Sequence, residues 1–333
     1  MELGEATMRR LPKIAFLAAL LWSLPVVSAF AQSFPSSTVT VVVPYPAGGS
    51  TDIIARALAG ELSKVWKQSV VVENVGGASS IIGTNRVVKA QPDGHTLLLT
   101  IDATVVHNRF LYKSLPYDPD KSLMPITMLA RSGQLVIAHP SFPAKTLKEL
   151  VDVARRTPGG VTYGSYGNGT QPNLLFETIA ERQGVKFLQV PYKGIAPVVT
   201  AVVTGEVQVS VASPAASGSM VQAGKIKALA IGGSQRSKVF ADVPTIAESG
   251  FTNMDAAIWW GVFAPAGASP ALIDRINRDI VSIAKQPEFI EKYSSKLGMD
   301  PVLGSPADFA AAIRSDVAIT AEMVKAAGVK PVE

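Results

Sequence analysis

The sequence predicts an α/β protein with two units, each built around a mainly parallel sheet. Short runs of β-branched residues alternate with amphipathic helical segments along most of the chain, a pattern typical of β–α–β connections. The alternation starts again after Ser132, which indicates a second unit. The chain has 333 residues, of which 47% are hydrophobic, so it is long enough to bury two cores.

The predicted strands and helices follow one another in a regular order. The first half contains strands over residues 39–43, 69–72 and 96–99, and helices over residues 53–66 and from Ser80 to about residue 90. The second half contains strands over residues 135–138, 161–163, 187–190, 207–211 and 228–231. Helices are predicted to begin near Thr146 and to extend over residues 172–182 and 196–204. A strand over residues 258–263 and helices over residues 270–284, 287–297 and 306–326 complete the chain. Thr146 and Glu149 form a predicted capping box, as do Ser305 and Asp308.

The N-terminal segment has the pattern of a secretory signal peptide. Three basic residues precede an apolar run over residues 14–27, and the sequence Ala-Phe-Ala at residues 29–31 fits a cleavage site. The run is shorter than the roughly 20 residues that span a bilayer. We therefore expect residues 1–31 to be removed after Ala31 and the mature protein to be periplasmic. An uncleaved anchor is the alternative, and Met8 is an alternative start.

The composition excludes several classes of protein. The chain has no cysteine, which excludes disulfide scaffolds, thiolate metal sites and cysteine nucleophiles. The formal net charge of +5 is small for this length and does not indicate nucleic-acid binding. The three histidines, His95, His107 and His139, lack partners at i+3 or i+4. We expect no metal site and no cofactor.

Three loops rich in glycine or hydroxyl residues follow predicted strands, over residues 44–52, 100–104 and 164–170. Ligands of parallel α/β sheets bind at the carboxyl ends of strands. The first and last of these loops run into helices, whose free N–H groups favour an anion. Neither loop has the spacing of a phosphate-binding motif, so a carboxylate is the better candidate. A tight turn without ligand is the alternative for each loop.

No pattern predicts catalysis. Ser165 does not lie in a G-x-S-x-G motif, because Tyr163 precedes it by two positions. Asp52 is expected to cap its own helix rather than to contact a ligand, and Tyr45 is a candidate wall of a ligand site.

A series of short motifs extends along almost the whole mature chain. They are Pro44–Asp52, Val72–Ala78, Pro92–Gly94, Leu115–Pro119, Tyr163–Thr170, Val190–Gly194, Leu229-Ala230, Asp242–Gly250 and Trp260–Gly267. In this order they resemble the Bug receptors, which are the extracytoplasmic solute-binding proteins of tripartite tricarboxylate transporters. The resemblance implies a type II periplasmic binding protein fold with two lobes joined by a hinge. It places residues 33–132 and 232–333 in the first lobe, residues 133–231 in the second, and the ligand cleft between them.

The resemblance also implies a set of ligand-binding residues. Backbone amides and hydroxyl groups of both glycine loops, with ordered waters, are expected to hold a carboxylate. The residues carried over are Tyr45, Ala47, Gly48, Gly49, Ser50, Asp102, Ala103, Thr104, Ser165, Gly167, Gly169 and Thr170. Gln208 stands where relatives often have an aspartate that faces a ligand amino group, so we expect a carboxylate ligand without an ammonium group. Position 208 facing away from the cleft is the alternative.

The resemblance implies a monomeric receptor that captures a small organic carboxylate and delivers it to the large and small membrane subunits of a transporter. No catalytic residue, metal or cofactor is assigned. A sensor that presents its ligand to a signalling partner is one alternative, and an enzyme on a similar two-lobed fold is another. Asn173 and Arg109 depart from the residues that relatives usually carry at these positions.

Overall fold

The strands and helices were defined in a computed structural model that describes Met1, residues 34–291 and residues 298–332. The predicted signal peptide, apart from Met1, and residues 292–297 of the predicted helix 287–297 lie outside the described residues. The strands are β1 (Val39–Val43), β2 (Val70–Asn74), β3 (Thr96–Ile101), β4 (Leu123–Gly133), β5 (Leu135–Ala138), β6 (Val161–Ser165), β7 (Phe187–Pro191), β8 (Val209–Ala212), β9 (Lys227–Ile231), β10 (Ala257–Pro265) and β11 (Asp300–Pro301).

Most of the helices agree with the sequence pattern, but the helices Asn108–Leu111 and Pro214–Gln222 were not predicted. They are α1 (Ser50–Trp66), α2 (Ile81–Val88), α3 (Asn108–Leu111), α4 (Leu147–Arg156), α5 (Gln171–Gln183), α6 (Ile195–Thr204), α7 (Pro214–Gln222), α8 (Pro270–Ala284), α9 (Pro287–Phe289) and α10 (Pro306–Ala326). A π-helical turn, Ala103–His107, leads directly into α3. None of the helices in the described part of the chain is long and apolar enough to span a membrane.

The strands form two sheets, and both are mixed. The first has the order β11-β4-β10-β3-β1-β2 and the second the order β7-β6-β8-β5-β9. Only the neighbours β2-β1-β3 and β7-β6-β8 run parallel. The α/β class is confirmed, but the sheets are not mainly parallel. Parallel neighbours need a crossover connection between the two strands. The strands that run from one sheet into the other lack such a connection, and they pair antiparallel with their neighbours.

The two sheets are joined by extended backbone segments that lie side by side. A single residue, Gln134, separates β4 from β5. Its N–H donates to the carbonyl of Ala256, and its carbonyl accepts from the N–H of Gly232. A Cβ atom at Gly232 would lie 2.0 Å from the Ala256 carbonyl oxygen, and one at Gly133 would lie 2.1 Å from the Gly232 oxygen. Glycine is therefore required at both positions by close backbone approach.

The core of the second sheet includes residues that follow β9. Ile246, Phe251 and Met254 belong to the hydrophobic core of the second sheet, although they follow the predicted boundary at residue 231. Helix α10 contacts both cores. Its first half contributes Phe309 to the core of the first sheet, and its last turns contribute Met323 to the core of the second.

Capping interactions are present at the predicted N-termini of α4 and α10. The Thr146 side chain accepts from the N–H of Glu149, and the Glu149 carboxylate accepts from the N–H of Lys145. Ser305 and Asp308 form a complete capping box at the start of α10. These caps satisfy N–H groups that a helix leaves without partners in its first turn.

Candidate functional site

The three predicted loops meet at one cavity of about 280 Å³ between the two sheets. Loops after β1 and β3 reach it from the first sheet, and the loop after β6 reaches it from the second. Its lining consists of Tyr45, Ser79, Ile101, Asp102, Ala103, His107, Asn108, Leu111, Gln134, Tyr166, Gly169, Thr170, Gln171 and Ile258. This lining contains no lysine or arginine, so hydrogen-bond donors rather than cations are available to an anion here.

Tyr45 forms one wall of the cavity and is held by buried hydroxyl groups. Its hydroxyl lies 2.8 Å from Oγ1 of Thr104 and 3.1 Å from Oγ1 of Thr100. Thr104 also lies 2.8 Å from the hydroxyl of Ser80. Burial raises the pKa of Tyr45, so the phenol stays protonated and can donate a hydrogen bond. Thr104 therefore supports the wall from behind and does not line the cavity.

The first glycine loop continues from Tyr45, which is its one residue in the cavity lining. Ala47, Gly48 and Gly49 are exposed, Ser50 is half-buried, and none of the four lines the cavity. The Asp52 carboxylate accepts from the N–H of Gly48 at 2.9 Å and pairs with Arg56, so it caps the loop as predicted.

Several amides of this loop have no protein partner among the described residues, including those of Ala47 and Gly49 and the first-turn amides of α1. The N–H groups of Ala47 and Gly49 donate to no acceptor among the described residues. Both precede the N-terminus of α1, where the helix dipole favours an anion. The loop therefore offers unpaired donors in the segment that continues from Tyr45 into α1.

The second glycine loop satisfies most of its own donors. The N–H of Gly167 donates to Ser165 Oγ, and the Thr170 hydroxyl donates to the Gly167 carbonyl at 2.6 Å. The N–H of Gly169 donates to Asn173 Oδ1, and Asn173 in turn donates to the Tyr163 hydroxyl. Ser165 is fully buried. Only Gly169 and Thr170 of the four predicted loop residues reach the cavity lining.

Asp102 and His107 form the acidic end of the cavity. The π-helical turn places Nε2 of His107 3.6 Å from Oδ2 of Asp102, and both side chains are largely buried. Burial, with the negative charges of Asp316 and Asp255, raises the pKa of Asp102 to about 8. Burial lowers the pKa of His107 to about 4. At neutral pH the pair therefore carries one proton and no net charge.

A second charged cluster lies behind this pair, at the join between the sheets. An Nη atom of Arg131 lies 2.9 Å from Oδ2 of Asp255 and 3.2 Å from Oδ1 of Asp316. Asp255 also accepts from the N–H of Gly233, and Asp316 accepts from Nε1 of Trp259. A small cavity of about 20 Å³ separates this cluster from Asp102 and is lined by both groups.

Gln208 does not reach the cavity. It precedes β8, and its Oε1 accepts from the N–H of Thr162 at 2.9 Å, at the start of β6. The cavity lies at the opposite, carboxyl end of these two parallel strands, after Ser165. Strand direction therefore removes Gln208 from the site, and the expectation about ligand charge that rested on it loses its basis.

The sequence did not indicate nine of the residues that line the cavity. Tyr166 lies inside a loop that was recognised, and Ser79 lies in the glycine-rich segment before α2. His107 is a single histidine without a spaced partner. Gln134 and Ile258 come from the segments that join the sheets, and their contribution depends on the relative position of the two sheets.

The fold and the cleft between its sheets define an α/β solute-binding protein. The profile described as "Tripartite tricarboxylate transporter family receptor" matches residues 54–329. The chain belongs to this family, and the resemblance to the Bug receptors is confirmed. Members of the family are periplasmic receptors.

Relatives and solved structures cover nearly all of the chain. Protein BugT of Bordetella pertussis is 33% identical over 301 residues, which are 90% of this chain and 92% of BugT. The structure of Rpa4515 from R. palustris with adipate is 31% identical, with a TM-score of 0.75, covering 90% of this chain and all of that one. MatC from Rhodopseudomonas palustris with bound malate is 29% identical, with a TM-score of 0.69, covering 87% of this chain and all of that one.

Proposed function

We propose that this chain captures a small organic carboxylate in the cleft between its sheets and delivers it to the large and small membrane subunits of a tripartite tricarboxylate transporter. The observation that carries the proposal is the cavity itself. Residues from both sheets line it, the loop that continues from its wall residue Tyr45 carries unpaired N–H groups at Ala47 and Gly49, and no lysine or arginine lines it. Such a site suits an anion that binds through hydrogen bonds.

The solved relatives support the class of ligand. Rpa4515 holds adipate and MatC holds malate, which are both dicarboxylates of four to six carbons. A cavity of about 280 Å³ has room for a molecule of this size. We propose Tyr45, Ala47, Gly49, Asp102, Tyr166 and Thr170 as the residues that contact the ligand, with Gly48, Ser50, Ala103, Thr104, Ser165, Gly167 and Gly169 shaping their loops.

The proposal assigns no catalytic role and includes export with cleavage after Ala31 and action as a monomer. We assign residues 34–133, 257–291 and 298–318 to the first lobe and residues 134–256 and 319–332 to the second, an assignment that the composition of the cores supports. Closure of these lobes around the ligand is part of the proposal, because a ligand held from both sides favours the closed state.

A thermal-shift screen followed by calorimetry tests the proposal. The mature protein is screened against mono-, di-, tri- and aromatic carboxylates, with the corresponding amides and alcohols as uncharged controls. We expect at least one carboxylate to raise the melting temperature and its uncharged analogue to have no effect. A protein that binds an uncharged analogue as tightly as the acid, or that binds no carboxylate, would contradict the proposal.

A further inference from the structure

We propose that Asp102 enters the ligand complex as an uncharged carboxylic acid and donates its proton to an oxygen of the bound anion. Binding of the anion is then coupled to the protonation of Asp102. This inference rests on the proposed function, since it requires a carboxylate in the cavity. It identifies the residue that selects the charge of the ligand.

The position of Asp102 favours the uncharged form of its side chain when a carboxylate is bound. Its side chain lines the cavity and is only 6% exposed. An ionised carboxylate here would face a ligand carboxylate across a cavity without lysine or arginine, and two such charges repel each other strongly when burial excludes water. As a neutral acid, Asp102 instead supplies an O–H donor, and a hydrogen bond from an acid to a carboxylate is among the strongest in proteins.

The distribution of charge around Asp102 also favours its uncharged form. Three buried or half-buried carboxylates, those of Asp102, Asp255 and Asp316, line one small cavity together with a single arginine, Arg131. Arg131 contacts Asp255 and Asp316, and each of these also accepts an N–H bond from a neighbouring group. Asp102 accepts a backbone N–H bond from Ala103 but forms no ion pair with Arg131, so of the three carboxylates it is the one that the arginine does not contact.

The titratable groups around Asp102 do not take up its proton near neutral pH. The titratable and charged groups that act on it from the surrounding elements are His107 in the π-helical turn, Arg131 in β4, Asp255 before β10, Asp316 in α10, Tyr45 in the first loop and Tyr166 in the second. Burial keeps His107 neutral above about pH 4, and it raises the pKa of both tyrosines. Asp102 is then the group of this set that exchanges a proton between pH 7 and pH 9.

Calorimetry at two pH values tests the inference. Adipate and malate are titrated into the wild type, into Asp102→Asn and into Asp152→Asn, a control on the surface of α4. The carboxylates of both probes are fully ionised from pH 7 to pH 9, so the ligand does not change. With a pKa of about 8 for Asp102, we expect wild-type affinity to fall about tenfold from pH 7 to pH 9. Asp102→Asn carries a neutral donor at every pH and should bind equally at both, whereas Asp152→Asn should behave as the wild type.

A second measurement does not depend on a variant. The binding enthalpy of the wild type is compared at pH 8.5 in two buffers of different ionisation enthalpy, which counts the protons taken up. With a pKa of about 8 for Asp102, we expect an uptake of about three quarters of a proton per ligand at this pH and almost none at pH 6.5.

Three results would overturn the inference. The first is wild-type affinity that stays constant from pH 7 to pH 9 without proton uptake. The second is an equal loss of affinity in Asp102→Asn over this range. The third is a folded Asp102→Asn that no longer binds at pH 7, which would mean that the site needs the charge of Asp102. If no carboxylate binds the wild type at all, the proposed function fails and this inference fails with it, whereas binding without pH dependence refutes this inference alone.

Discussion

Nε2 of His107 lies 3.6 Å from Oδ2 of Asp102, and this buried pair holds a single proton near neutral pH. In the unfolded chain the same proton resides on the histidine below about pH 6.5 and is lost above it. Folding therefore moves the proton from the imidazole to the carboxyl group. This transfer makes the stability of the protein depend on pH in a way that each partner alone would not produce.

The first prediction concerns that dependence. Between about pH 6.5 and pH 8 the folded pair keeps its proton and the unfolded pair has none. Folding thus binds a proton in this window, and stability from the pair falls as pH rises, by at most about 1.4 kcal/mol per unit. Between about pH 4 and pH 6.5 the two states hold one proton each, so the pair contributes no slope.

Substitution separates the two groups. Asp102→Asn removes the group with the raised pKa. The unfolding free energy of this variant minus that of the wild type should therefore rise steadily from pH 4 to pH 8. For His107→Gln, the corresponding difference in unfolding free energy should vary with pH only below about pH 6.5. Urea denaturation at pH 4.5, 6.5 and 8 measures both differences. A pH-independent difference for Asp102→Asn would show that Asp102 is ionised in the folded protein.

The second prediction concerns Gly49 in the first glycine loop. Gly49 has an extended backbone, and a Cβ atom there would meet only the Pro46 carbonyl at 3.8 Å. Gly49→Val should therefore leave the fold intact and block the approach of a carboxylate to the free amides. We expect at least tenfold weaker binding, about 1.4 kcal/mol, by calorimetry. Gly60→Val on the exposed side of α1 is the matched control, since a Cβ atom at Gly60 also meets open space. Equal affinity of the two variants would move the site away from this loop.

The third prediction concerns ligand charge. A neutral Asp102 gives an ammonium group no anionic partner, and a buried ammonium without one costs several kcal/mol. Succinate should therefore bind more tightly than aspartate, and glutarate more tightly than glutamate. Calorimetry on these matched pairs at pH 7 provides the comparison. Tighter binding of either amino acid would indicate that Asp102 releases its proton and pairs with the ammonium group.

The fourth prediction concerns the join between the sheets. Alanine at Gly133 would place Cβ 2.1 Å from the Gly232 carbonyl oxygen, and the backbone there is held by hydrogen bonds on both sides. We expect Gly133→Ala to lower the unfolding free energy by about 2 kcal/mol or more. Gly60→Ala should instead stabilise the protein by about 0.5–1 kcal/mol, because alanine favours the helix. A Gly133→Ala variant as stable as the wild type would mean that the joining segments separate easily.

The fifth prediction concerns lobe closure. The two sheets contribute different walls of the cavity, so a ligand that contacts both should stabilise the closed arrangement. Small-angle scattering at saturating ligand should give a smaller radius of gyration than without ligand. An unchanged radius would indicate a cavity that is already formed before binding.

The sequence predicts the parts of the site that depend on local structure. The β-branched run 39–43 and the glycine loop after it place Tyr45 at a strand end, and the same reasoning places Thr170 at the start of a helix. Strand direction sets the limit: Gln208 lies beside the right strand but at its amino end, and residue spacing alone does not reveal which end faces the cleft.

Other features depend on tertiary structure. The sheets are mixed because chain segments cross between them, and these crossings are not visible as a local pattern. His107 enters the site because a π-helical turn follows β3, and its sequence has no feature that distinguishes this turn from an α-helix. The free amides of the second glycine loop are fewer than expected because Asn173 and Ser165 already bind them.

Helix α10 contacts the core of each sheet with a different end, and this has a consequence for how a bound state is communicated. A rigid rod fixed to two bodies cannot follow both when they rotate, so closure of the lobes must slide or tilt this helix against at least one of them. In the proposed closure, the outer face of α10 would shift relative to the surface around it as the cleft fills. A membrane subunit that docks over this helix would distinguish a loaded receptor from an empty one without touching the cargo.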